Sequence, residues 1–192
     1  KSGNESQISE KTFEIDKAKP EVSIKLQDEH GNAISTYTKD DVYAVVTVKE
    51  KAQFNKNKVK FNYSGKDIDG NNLHPAPEVI GTEWESSTVD GESIYTNKYK
   101  FSTEAVYNFD VTYTGVSGLV SDKKEAVTTY DKTAPADLSI KYNTTEKTVN
   151  DGNRYFDTND IKVTLSASDD ISGIKSFEYS TDGSEWITKN VT

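Results

Sequence analysis

The chain reads as all-β, built of β-sandwich units in tandem. Three observations predict this. Apolar side chains alternate with period 2 in several stretches, turn residues separate those stretches, and one phrase of the sequence occurs twice. Ile15-Asp16-Lys17-Ala18-Lys19-Pro20 precedes Val22-Ser23-Ile24-Lys25-Leu26; Tyr130-Asp131-Lys132-Thr133-Ala134-Pro135 precedes Leu138-Ser139-Ile140-Lys141-Tyr142, its proline 115 residues on. Asp41-Val42-Tyr43-Ala44-Val45-Val46-Thr47-Val48 is matched by Asp160-Ile161-Lys162-Val163-Thr164-Leu165-Ser166-Ala167 at a spacing of 119. Self-similarity at a nearly fixed period marks repeated structural units.

The alternation places the strands. Val42, Ala44, Val46 and Val48 share one face, as do Ile161, Val163, Leu165 and Ala167. Val59, Phe61 and Tyr63 form a third such row, and Tyr107, Phe109, Val111 and Tyr113 a fourth. A strand with one apolar and one polar face belongs to an antiparallel sheet with water on one side. Between the rows lie Asp28-Glu29-His30-Gly31-Asn32, Asp67-Ile68-Asp69-Gly70-Asn71-Asn72, Val89-Asp90-Gly91-Glu92 and Thr181-Asp182-Gly183-Ser184. Gly, Asp and Asn tolerate the positive φ that tight turns need. Strands are expected near 21–27, 41–50, 58–64, 79–86, 93–101, 105–114 and 120–130. Seven short strands with regular turns suit an immunoglobulin-like sandwich. Tyr107, at the start of the sixth, stands where a tyrosine corner would bond back to nearby backbone; an ordinary core tyrosine is the plainer reading. Trp84 and Trp186 are expected to fill cores, as aromatic residues at inward strand positions do.

Composition narrows the function. With 32 acidic and 23 basic residues the net charge is −9, which disfavours nucleic acid and anionic lipid as partners. There is no Cys, so no disulfide or thiolate metal site can form. The longest apolar runs are a few residues, too short for a membrane-spanning helix. The organisation expected is a tail and last strand of a preceding unit at 1–18, a complete sandwich at 19–131, a Pro-containing linker at 132–135, and the truncated N-terminal part of a second sandwich at 136–192. The strand of the preceding unit is placed at 10–18.

Few residues invite chemistry. The two histidines, His30 and His74, lie in turn-rich stretches without a nucleophile motif beside them, and no phosphate-cradling glycine loop is present. The reading is non-enzymatic. No cofactor is expected, with calcium the one ion that the loop acids could take through hard oxygen ligands. Asp67, Asp69 and Glu78 fall at positions 1, 3 and 12 of one stretch, but Gly70 stands at position 4 rather than 6. Asp169, Asp170 and Asp182 are a second acidic set. Solvated turn acids are the plainer reading of both. The 65–92 stretch is longer than a hairpin connection and carries His74 and Trp84, while Ile94 and Lys98 share the outward face of the fifth strand; these four are the candidates for a binding surface.

The chain resembles the immunoglobulin-like repeat domains of large bacterial surface proteins, especially those of Gram-positive gut bacteria. The residues that carry the resemblance are Asp131-Lys132-Thr133-Ala134-Pro135, Val46-Thr47-Val48-Lys49-Glu50-Lys51-Ala52-Gln53-Phe54, Glu104-Ala105-Val106-Tyr107-Asn108-Phe109-Asp110-Val111, and the stretch from Asp169-Asp170-Ile171-Ser172-Gly173 to Gly183. The resemblance implies an extracellular location, at the bacterial cell wall or secreted. It implies a stalk and display module for adhesion, with neighbouring immunoglobulin-like modules as partners. The alternative it carries is direct binding of a host glycoprotein, glycan or immunoglobulin. Gly115-Val116-Ser117-Gly118-Leu119-Val120 departs from the Asp-containing turn expected there, so the resemblance supplies no ion site in that loop.

Overall fold

The structure is a computed structural model that describes residues 3, 9–12, 17–145, 147–150 and 153–191. Among these residues all regular structure is β apart from one short 3-10 turn at Lys56–Lys58. No helix among them is long and apolar enough to cross a membrane. The first part contains β1 (Glu21–Gln27), β2 (Tyr37–Thr38), β3 (Val42–Glu50), β4 (Val59–Lys66), β5 (Glu78–Val89), β6 (Glu92–Phe101), β7 (Ala105–Tyr113) and β8 (Lys124–Tyr130). They form two four-stranded sheets, in the orders β1-β3-β6-β5 and β2-β8-β7-β4. All pairings are antiparallel except that of β2 with β8. The seven strands expected from alternation are all present, the last beginning at Lys124 rather than 120. The two-residue β2 was not foreseen, because two residues carry no period.

The two sheets close over one core, which makes this part a β-sandwich. Val42, Ala44, Val46 and Val48 of β3 are fully buried, as are Tyr107, Val111 and Tyr113 of β7. Val42, Ala44 and Phe101 from one sheet meet Ala105, Tyr107, Phe109 and Tyr130 from the other. A second cluster joins Val22, Val46 and Val48 to Val111 and Tyr113. Each such aliphatic side chain contributes roughly 1.5–3 kcal/mol on burial. Phe101 takes edge-on contacts from Tyr107 and Phe109 at centroid distances of 5.2 and 5.0 Å. The Tyr107 hydroxyl donates to the Thr103 carbonyl at 2.6 Å, so the tyrosine corner forms and ties the entry of β7 to its own loop.

A second polar tie was not legible in the alternation. Asp41, just before β3, accepts from the Tyr130 hydroxyl at 2.6 Å, pairs with Lys100 at 2.9 Å and accepts from the Ser102 hydroxyl at 3.2 Å. Burial pushes its carboxyl up, but the bonds from Tyr130, Lys100 and Ser102 outweigh that and hold it below its ordinary value. Asp41 thereby links β3 and β6 of one sheet to β8 of the other.

Beyond the connecting stretch lie β9 (Ala136–Tyr142), β10 (Thr148–Asn150), β11 (Asn153–Tyr155), β12 (Val163–Ser168), β13 (Ser176–Tyr179) and β14 (Ile187–Asn190). They pair only two by two, as β12-β9, β10-β11 and β13-β14. The sequence repeat is nevertheless a repeat of register. Ser23, Ile24, Lys25 and Leu26 face Thr47, Val46, Val45 and Ala44; Ser139, Ile140, Lys141 and Tyr142 face Ser166, Leu165, Thr164 and Val163. All four pairs coincide at the sequence spacings of 116 and 119.

One expectation fails. Trp186 is 67% exposed rather than packed in a core, because it stands just before β14 and no second sheet among the described residues covers this segment. The middle of the strand placed at 10–18 lies outside the described residues, and residues 10–12 and 17–18 on either side have no regular structure.

Candidate functional site

The Asp67–Asn71 turn is built around its first carboxylate. Asp67 accepts from the Asn71 backbone N–H and side-chain amide, both at 2.7 Å, while Gly70 adopts φ 85°. The amide bond from Asn71 holds the Asp67 carboxyl below its ordinary range. Asp28 and Asn32 repeat this arrangement with backbone and side-chain bonds of 2.8 Å, and Gly31 stands at φ 86°. Asp67 is therefore spent on closing a turn. Glu78 does not return to it, since it opens β5 on an exposed position opposite Lys100.

Asp169 caps a second turn in the same way. Its Oδ1 accepts the backbone N–H groups of Ser172 and Gly173 at 2.8 Å and of Ile171 at 3.2 Å. Desolvation pushes its carboxyl up, but those N–H donors prevail and lower it. Glu50, 119 residues earlier, accepts the Ala52 N–H at 3.1 Å, the counterpart of the Ile171 bond. Its second carboxylate oxygen is buried with no partner among the described residues. Asp182 sits apart, in the turn between β13 and β14. There the backbone N–H groups of Glu185 and Ser184 hold its carboxyl far below the usual range.

The two turns meet at the junction of the sandwich with the segment that follows. The Ile68 backbone N–H donates to the Asp170 carbonyl at 2.8 Å. Gly173 stands at φ 71°, and a Cβ there would lie 2.7 Å from the Ile68 side chain. Only glycine meets both conditions without strain. The connecting stretch is clasped as well. Glu104 accepts from the Lys132 N–H and the Thr133 hydroxyl, each at 2.7 Å, and the Thr133 bond foremost lowers its carboxyl. Asp131 accepts from the Ser172 N–H at 3.2 Å and donates its own N–H to the Thr38 carbonyl at 2.9 Å.

A cleft of about 590 Å³ opens at this junction. Four of the six acids suggested as ion ligands line it: Asp67, Asp69, Asp169 and Asp170. Glu104, Asp131 and Asp137 add three more carboxylates that no spacing in the sequence groups with them. Yet no group of three or more His, Asp or Glu among the described residues has the spacing to hold a metal ion. The carboxylates whose bonds were traced above are engaged with backbone and side-chain donors.

The four binding candidates do not share one surface. His74 is exposed at φ 46°, its N–H held by the Asn72 side chain at 3.0 Å. Trp84 is half-buried against Phe54, with ring centroids 5.1 Å apart, and Phe54 stacks on Tyr95 at 4.1 Å. It belongs to the second core cluster, as expected of an inward strand aromatic. Ile94 and Lys98 do lie together on the outward face of β6. There the Lys98 ammonium sits 4.3 Å above the Tyr43 ring and that of Lys100 5.8 Å away, a small cationic and aromatic strip on an acidic chain. Comparison with known protein families, curated proteins and solved structures gave no match. What can be said of function rests on the chain itself.

Proposed function

We propose that this chain is a non-enzymatic stalk and display module of a bacterial cell-surface or secreted repeat protein, serving adhesion. The observation that carries the reading is the repeated register, in which four consecutive residue pairs of β9 and β12 reproduce those of β1 and β3. It supports two tandem units of one kind, the first spanning 19–131 and the second beginning at 136. The sheet orders support the immunoglobulin-like type. With β1, β3, β4, β5, β6, β7 and β8 taken as strands A to G, one sheet is A-B-E-D and the other C-F-G with the short β2 beside G. Pro135 biases Ala134 toward extended backbone, and the Ile68–Asp170 bond and the Glu104 clasp hold the joint at a defined angle. Defined joints make a spacer rather than a loose string.

The test is small-angle scattering with Gly173→Ala. A side chain at that position must push against Ile68. The maximum dimension or its distribution shifts if the joint sets the shape, while the thermal transition of the sandwich stays where it was. Unchanged scattering from this variant and from Pro135→Gly contradicts the reading.

The Tyr43–Lys98 strip favours a second reading, direct binding of a host glycoprotein, glycan or immunoglobulin through the outward face of β6. Lys98→Glu together with Ile94→Asp then abolishes saturable binding to such a ligand with the fold intact. Equal binding by the variant removes that face from consideration.

A further inference from the structure

The face shared by β9 and β12 is apolar and mostly open, with Tyr142 at one end half-buried against Phe156 at a ring-centroid distance of 5.0 Å. Leu138, Ile140 and Val163 are 70%, 55% and 55% exposed. Ile140 faces Leu165 and Tyr142 faces Val163, so these side chains form one continuous row rather than scattered surface residues. Single exposed apolar residues need no explanation, but a contiguous patch marks an interaction surface.

The same chain indicates what covers such a face. Ile24 opposite Val46 and Leu26 opposite Ala44 occupy the same register as Ile140 opposite Leu165 and Tyr142 opposite Val163. In the sandwich that face is closed by β7 and β8, both of which pack on β1. Val46 lies in one cluster with Val111 and Tyr113, and Ala44 in another with Phe109 and Tyr130. We propose that the β9–β12 face is a docking surface for a β-strand that presents alternate aromatic and aliphatic side chains in the pattern of Tyr107, Phe109, Val111 and Tyr113. That inward row carries no charge, so the contact itself buries none, although the chain as a whole carries −9. Two whole copies meeting face to face would each bring that charge.

This rests on the repeated register that also supports the stalk reading, but the two fail separately. The test uses the full chain with a synthetic peptide of residues 104–131, which carries β7 and β8. Methyl NMR reads the side chains of Leu138, Ile140, Val163 and Leu165. The expected result is a saturable shift confined to these methyls, weakened by about tenfold or more when the peptide carries Val111→Asp, because a buried charge has no partner there. Ile140→Asp in the chain, at an already exposed position, weakens it equally without disturbing the sandwich. No saturable shift at about millimolar peptide overturns the proposal, as does an equal shift from a scrambled peptide. Concentration-dependent dimerisation that Ile140→Asp abolishes also overturns it, since a second copy is then the occupant. In any of these cases, an angle-dependent response to Gly173→Ala leaves the stalk reading intact.

Discussion

Two stretches of this chain carry the same alternation and the same strand register, yet they bury it to different depths. Val42, Ala44, Val46 and Val48 are fully buried between two four-stranded sheets. Ile161 and Val163, at the matching spacing, are 37% and 55% exposed, and Leu165 and Ala167 are half-buried. The contrast separates two things that an apolar period encodes. It fixes which residues face together, a property of the strand pair alone. It does not supply the opposing surface, and most of the stabilisation comes from excluding water between two such surfaces.

The largest test of this contrast is a pair of truncations. Phe101→Ala removes a fully buried ring met by Tyr107 and Phe109, and is expected to cost about 3–5 kcal/mol in denaturant unfolding. Leu165→Ala, on a face with no opposing sheet, is expected to cost under about 1 kcal/mol. Comparable losses would mean that the β9–β12 face is covered in solution. A smaller effect tests the corner. Tyr107→Phe keeps the ring but removes the 2.6 Å bond to Thr103, and is expected to lower stability by about 1–1.5 kcal/mol without changing the fold.

The pH dependence sharpens the comparison further. Asp41 is held below its ordinary value of 3.8 in the folded sandwich. A carboxyl depressed by folding adds stability above its unfolded pKa and loses it as the pH falls through the folded one. Thermal stability of the sandwich is therefore expected to decline as the pH drops below about 4, and Asp41→Asn to flatten that decline. An unaltered acid slope in the variant would assign it to other carboxylates, such as Glu104.

Much of the sandwich was legible because it is local. Seven strands, the inward rows of β3 and β7, and Tyr107 as a candidate corner followed from period and turn residues within a few positions. What escaped was long-range. Nothing near Glu104 announces that it will clasp Lys132 and Thr133, nor near Asp41 that Tyr130 will reach it, because those contacts form only when the sheets close. The six acids suggested for an ion do not all lie in one place. Asp67, Asp69, Asp169 and Asp170 do converge on the junction cleft, whereas Glu78 and Asp182 do not line it. Trp186 was misread because it falls just before β14, outside any strand, where its ring stays exposed.

The most direct measurement of the central contrast is residue-resolved hydrogen exchange on the intact chain. Amides of β3, β6 and β7 are expected to exchange only through global opening, and those of β9 and β12 about 100-fold faster or more, through local opening. Equal protection in the two regions of a monomer would contradict the account, for it would require a cover over the β9–β12 face that the two-stranded sheets do not provide.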